Sequence, residues 1–164
     1  MKPQVSVYLV VISLLLSITV FAGNEIMKDK NQVQSQIDSI ATKLFKREIG
    51  KIEILQIPPE ISTRTRITPE ILEKQFDYKL TIRDARGGVY REKLAELLKS
   101  LVVRPQSEMP DIRWGIIFYN VDDSRVGAIY FDKWGSRGAV ADIPVSFKGD
   151  LFKWLDGNFS SCFR

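Results

Sequence analysis

Residues 112–140, IRWGIIFYNVDDSRVGAIYFDKWGSRGAV, decide the fold. Two runs rich in β-branched and aromatic residues flank Asp122 to Arg125, and a second turn, KWGSRG, carries Gly135 and Gly138. The pattern predicts a β-hairpin followed by a further strand. Pairing outward from Val121 and Val126 sets Tyr119 opposite Ala128, Ile117 opposite Tyr130 and Gly115 opposite Asp132.

Side chains alternate along a strand, so the hairpin has two unlike faces. One carries Ile112, Trp114, Ile116 and Phe118 with Ile129 and Phe131, and has the composition of a core wall. The other carries Arg113, Gly115, Ile117 and Tyr119 with Tyr130, Asp132 and Trp134, mixing charge with aromatic surface. Tyrosine, tryptophan and arginine are enriched at interface hot spots, which makes this second face the candidate recognition surface. The competing reading lets the N-terminal helix cover it, with Arg113 and Asp132 as a peripheral ion pair.

Downstream, AVADIPVSF (139–147) reads as the last strand, and Pro144 marks it as an edge or ends it early. A terminal helix capped by Ser146 or Asp150 then buries Leu151, Trp154 and Leu155 until Gly157 stops it. Upstream, VYREKLAELLKSL (89–101) places Tyr90, Leu94, Leu97, Leu98 and Leu101 on one stripe of a helix. Before it lie a strand, DYKLTIR (77–83), and a short helix from Pro69 through Ile71 and Leu72 to Phe76, capped by Thr68.

STRTRIT (62–68) alternates as a strand with Arg64 and Arg66 on one cationic face, and KIEILQI (51–57) is a strand stopped by Pro58-Pro59. NQVQSQIDSIATKLFKREIG (31–50) repeats Val33, Ile37, Ile40, Ala41, Leu44 and Phe45 at helical spacing and is ended by Gly50. The order is helix, two strands, short helix, strand, helix, three strands, helix. It predicts an α+β fold: a mainly antiparallel sheet of about five or six strands with amphipathic helices packed on it, one domain over residues 23–164.

The opening MKPQVSVYLVVISLLLSITVFAG combines a basic start, an apolar run and a small residue at Ala22, the tripartite pattern of a signal peptide over residues 1–22. It predicts a periplasmic or secreted protein. A retained segment of this length would instead anchor the chain in the inner membrane, the only case in which a membrane is a partner. Removing Lys2 takes the formal charge from +4 to +3, too mild for a nucleic-acid binder. Cys162 is the single cysteine, so no internal disulfide forms, and its thiol reads as an incidental tail residue.

Chemistry is narrowed by absence. Without histidine, Ser-His-Asp and Cys-His catalysis and the commonest zinc sites are excluded, and no nucleotide or nucleophile-elbow motif occurs, so no cofactor or metal is expected. The carboxylates Glu108, Asp111, Asp122, Asp123, Asp132 and Asp142 keep open a two-acid enzyme acting on an envelope glycan, although Asp122 and Asp123 read better as turn residues. RDARGG (83–88) is a turn before a helix, with anion binding as its functional alternative.

A small exported domain without catalytic signatures is similar in organisation to periplasmic immunity proteins and enzyme inhibitors, an analogy of class that carries over no residue. The expected function is therefore a binding protein that neutralises a toxin or envelope enzyme. Arg64, Arg66, Arg113, Tyr119, Tyr130, Asp132 and Trp134 are its candidate partner contacts. The alternatives are the glycan enzyme and a membrane-anchored envelope structural subunit.

Overall fold

A computed structural model describes residues 31–83 and 89–163. The signal segment and residues 84–88 of RDARGG lie outside the described residues. Residues 31–45 form helix α1. There follow β1 (Ile49–Gln56), α2 (Pro69–Gln75), β2 (Tyr78–Arg83), α3 (Val89–Ser100), β3 (Val102–Pro105), β4 (Ile112–Asn120), β5 (Arg125–Asp132), β6 (Arg137–Val140), β7 (Ile143–Lys148) and α4 (Leu151–Phe159). A turn of 3-10 helix, Ser160–Phe163, closes the described chain.

The fold is α+β, with one antiparallel sheet of seven strands in the order β2-β1-β4-β5-β6-β7-β3. Three of those strands, β3, β6 and β7, differ from the sequence expectation. Ala141, at φ 51°, starts a tight turn that pairs Val140 with Ile143, so AVADIPVSF folds back on itself as β6 and β7. Pro144 consequently marks no edge: β3 pairs outside β7, and the Pro144 carbonyl accepts from Gln106 N at 2.8 Å.

STRTRIT is the converse correction. Despite its alternation, residues 62–68 are a loop outside the sheet, bent at Arg64 and Thr65 and bonded through Thr63 and Ile67 to the Arg113 and Asp111 side chains rather than to a neighbouring strand. Two caps were also misplaced. Helix α1 ends through Arg47, at φ 62°, with Arg47 N to Leu44 O and Glu48 N to Lys43 O, the paired bonds of a Schellman motif. Gly50 instead lies in β1 beside a bulge, where a Cβ would come within 2.8 Å of Val121 Cα. Gly157 is carried inside α4.

The hairpin forms with its register moved by two residues, Ile117 rather than Tyr119 opposing Ala128. Its turn sits earlier than expected: Asn120 N donates to Ser124 O, Asp123 takes φ 64°, and Asp122 Oδ1 accepts from Ser124 N and Oγ. A slip of two preserves the faces. A bulge between Ile112 and Trp114 does not, and it moves Ile112 to the second face.

Helices lie on both faces. Trp114, Ile116, Phe118, Ile129 and Phe131 pack against the apolar stripes of α1, α3 and α4, led by Ile37, Leu98 and Leu155. Each such burial is worth roughly 1.5–3 kcal/mol. On the second face Leu55, Ile117, Ala128 and Tyr130 pack under Leu72 of α2 and under Ile57 and Ile67 from the ends of the 57–68 loop. Among the described residues no helix is long and apolar enough to cross a membrane.

Candidate functional site

Three loops gather at one end of the sheet. Residues 57–68 leave β1 there, since Ile57 N donates to Arg113 O and Ile112 N to Ile67 O. Residues 106–111 enter β4 beside them, and the turn 133–136 leaves β5, whose Asp132 pairs with Ile112.

Arg113 is the strut of the first two loops. Its side chain is buried, with the residue 6% exposed, and its guanidinium donates to Asp111 Oδ2 at 2.8 Å and to the Ile61 carbonyl at 2.9 Å, with longer bonds to Pro58 O and Thr63 Oγ1. Asp111 in turn accepts from Ile67 N at 2.8 Å. One cation thus ties together four residues of the two loops, two through backbone carbonyls and two through side chains.

Asp132 holds the third loop. At 3% exposed, it accepts from Trp134 N and Arg137 N through Oδ1, and Arg137 Nε lies 3.5 Å from Oδ2. Gly135, at φ 70°, completes the turn in a position where a Cβ would overlap the Phe152 ring. Arg113 and Asp132 are therefore not an ion pair with each other. Both were expected as partner contacts, and burial removes them from the surface.

Above these struts the side chains are exposed. Trp134 is 70% exposed with Lys133 Nζ 4.6 Å from its ring centroid, Arg64 is solvent-facing, and Arg66 reaches Glu108 Oε1 at 2.8 Å and Met109 O at 2.7 Å. The structure brings these three of the seven expected contacts to the same loop end.

The two tyrosines lie elsewhere and serve a different purpose. Tyr130 is 1% exposed beneath α2, which corrects the expectation that this face lies open and also the alternative that α1 covers it. Its hydroxyl donates to Glu73 of α2 and accepts from Arg125 at 2.8 Å, while Arg125 grips Glu73 through two 2.9 Å bonds. Burial, then the hydrogen bond to Glu73, pushes the Tyr130 hydroxyl well above the usual tyrosine range. Burial opposes ionisation of Glu73, but the bonds from Arg125 and Tyr130 outweigh it and hold the carboxyl below its ordinary value.

Tyr119 is half-buried near the far end of β4. It donates to Glu53 at 3.1 Å and lies under Lys51 Nζ, 3.9 Å from its ring centroid; burial and the Glu53 bond push its hydroxyl up to about 12. Glu53 also meets Lys79 at 2.9 Å, and Lys51 meets Asp123 at 2.9 Å. Sequence reading missed Glu73, Arg125, Glu53 and Lys51. Alternation along β1 could have found Lys51 and Glu53 as one polar face; Glu73 needed the docking of α2, which no local pattern records.

Most of the acids weighed for glycan chemistry serve the framework. Glu108 and Asp111 tie loops, Asp122, Asp123 and Asp132 serve turns, and Asp142 sits in the β6–β7 turn. Among the described residues, no group of three or more His, Cys, Asp or Glu side chains could hold a metal ion. Comparisons with protein-family models, with curated proteins and with solved structures find no match.

Proposed function

We propose that the chain is an exported binding protein of the immunity or inhibitor type, which neutralises a toxin or envelope enzyme by covering its active site. The supporting observation is the loop end of the sheet: two buried charges, Arg113 and Asp132, hold three loops that display Arg64, Arg66 and Trp134. Loops fixed before contact lose little entropy on binding, and an exposed tryptophan flanked by cations supplies an anchor with electrostatic orientation. The partner is a protein with an acidic rim around an apolar recess, and the complex buries roughly 1,600 Å² in total.

The proposed action is stoichiometric rather than catalytic, a reading supported by the bonds of Asp111, Asp122 and Asp132 within their own loops and turns. Tagged residues 23–164, expressed in the periplasm of the native host, should retain one stoichiometric protein. The triple variant Arg64→Ala, Arg66→Ala, Trp134→Ala should lose it while its circular dichroism stays unchanged. Full retention by the folded triple variant would sink the reading.

A further inference from the structure

The two edges of the sheet are unlike. β3 has four residues and ends in Pro105. β2 has six, Tyr78–Arg83, and among the described residues it pairs only with β1. The direction of its remaining bonding groups follows from its neighbour. Ile57 N donates to Arg113 O on the β4 side and Asp77 N to Gln56 O on the β2 side, so Ile52, Ile54 and Gln56 turn their backbone groups toward β2. Their partners Ile82, Leu80 and Tyr78 turn theirs back, which directs the N–H and C=O of Lys79, Thr81 and Arg83 out of the sheet. A row of this kind is a template for another strand.

A lysine on such a strand commonly guards it. Here Lys79 Nζ lies 2.9 Å from Glu53 of β1 and is drawn back over its own sheet. On the other face Tyr78 is 38% exposed, and Leu80 and Ile82 are only partly buried where they border an apolar cavity beneath α3 and α4. The edge also complements itself. In an antiparallel pair centred on Leu80, Tyr78 of one copy meets Ile82 of the other, Lys79 meets Thr81, and the two Leu80 side chains touch across the two-fold axis. The next position of that register sets Asp77 opposite Arg83, so unlike charges meet twice. Centring on Thr81 would instead set Lys79 against Arg83, two like charges.

We propose that two copies of this chain join β2 to β2 about Leu80, making one antiparallel sheet continuous through both. The backbone groups of Lys79 then bond those of Thr81 across the axis in both directions. The antiparallel arrangement points the two loop ends carrying Trp134 in opposite directions, so each stays open. Six residues a side are fewer than the roughly 20–30 of a standard interface, so the dimer forms only at high concentration.

Sedimentation velocity of the purified protein from micromolar to millimolar concentration tests this, and a monomer–dimer equilibrium is expected. Thr81→Pro removes an outward N–H that a single subunit does not use, so its circular dichroism should be unchanged and its dimer at least about tenfold weaker. Asp77→Arg should weaken the dimer too, and adding Arg83→Asp should restore it. In a Cys162→Ser background, Leu80→Cys should form an intermolecular disulfide under mild oxidation, since a non-hydrogen-bonded pair brings its Cα atoms to about 4.5 Å, within disulfide reach. Thr81→Cys, at a more exposed position, should not, because it faces Lys79 of the second copy. A protein monomeric throughout, a dimer indifferent to Thr81→Pro, or a disulfide formed by Thr81→Cys and not by Leu80→Cys would each overturn the assignment.

Discussion

The two faces of the β4–β5 hairpin are built from one stretch of sequence and are closed by different means. On the first, Trp114, Ile116, Phe118, Ile129 and Phe131 meet three helices, and shape and area suffice. On the second, α2 has only seven residues and buries Pro69 and Leu72, too little apolar surface to seal a seven-stranded sheet. Polar side chains complete the closure: Tyr130, Glu73 and Arg125 lock α2 from above, and Arg113 ties down the loop that extends its cover. Tyrosine and arginine beside a thin layer are thus structural members, though from sequence the same residues look like an interface.

The largest effect should come from the apolar face. Phe131 is fully buried with its ring 4.8 Å from Phe147 and 5.4 Å from Phe152, so Phe131→Ala should cost about 3–5 kcal/mol in denaturant unfolding. A loss below 1 kcal/mol would mean that this face is not the principal core. Arg113→Ala comes next, at about 2–3 kcal/mol, since it leaves the Ile61 carbonyl without its donor and Asp111 Oδ2 without its cation, while Asp111 keeps Ile67 N and regains partial hydration. Limited proteolysis should then cut first within residues 58–66. Cleavage there at the native rate would show that the loop is held by other contacts.

How much of this was legible follows from where each instruction is written. Periodicity records burial, so the stripes of α1, α3 and α4 and the alternation of the hairpin could be read directly. The short β3 follows α3 with no turn residue between them and pairs only with β7, 38 or more positions away, so nothing local announces it. STRTRIT failed for the opposite reason: alternation was present, but the segment bonds to the side chains of Arg113 and Asp111 and joins no strand. For the candidate residues, the burial of Arg113, Tyr130 and Asp132 was not legible. Whether Arg113 or Tyr130 faces water depends on a bulge and on the docking of α2, both products of long-range packing.

The polar lock gives a smaller and pH-dependent effect. Glu73→Gln should cost about 1–2 kcal/mol near neutrality, at the lower end for charged hydrogen bonds because Arg125 is partly exposed. Glu73 has a lowered carboxyl pKa when folded, so its contribution is present above the unfolded value of roughly 4.3 and is lost as pH falls through the folded value. The variant should therefore lose less stability than the native protein on acidification from neutrality to below pH 4. Parallel stability curves for the two proteins would remove Glu73 from the lock.

The smallest structural effect belongs to Trp134, and its smallness separates the two kinds of surface. Its side chain is held by no buried contact; only its backbone N–H is used, by Asp132, and alanine preserves that bond. Trp134→Ala should therefore change stability by less than about 0.5 kcal/mol, as expected for an exposed position. Gly135→Ala in the same turn must strain a left-handed backbone and displace Phe152, so it should cost several times more. A Trp134→Ala loss as large as that of Gly135→Ala would show the indole to be a buried member of the fold, and the division between strut and display at this end of the sheet would collapse.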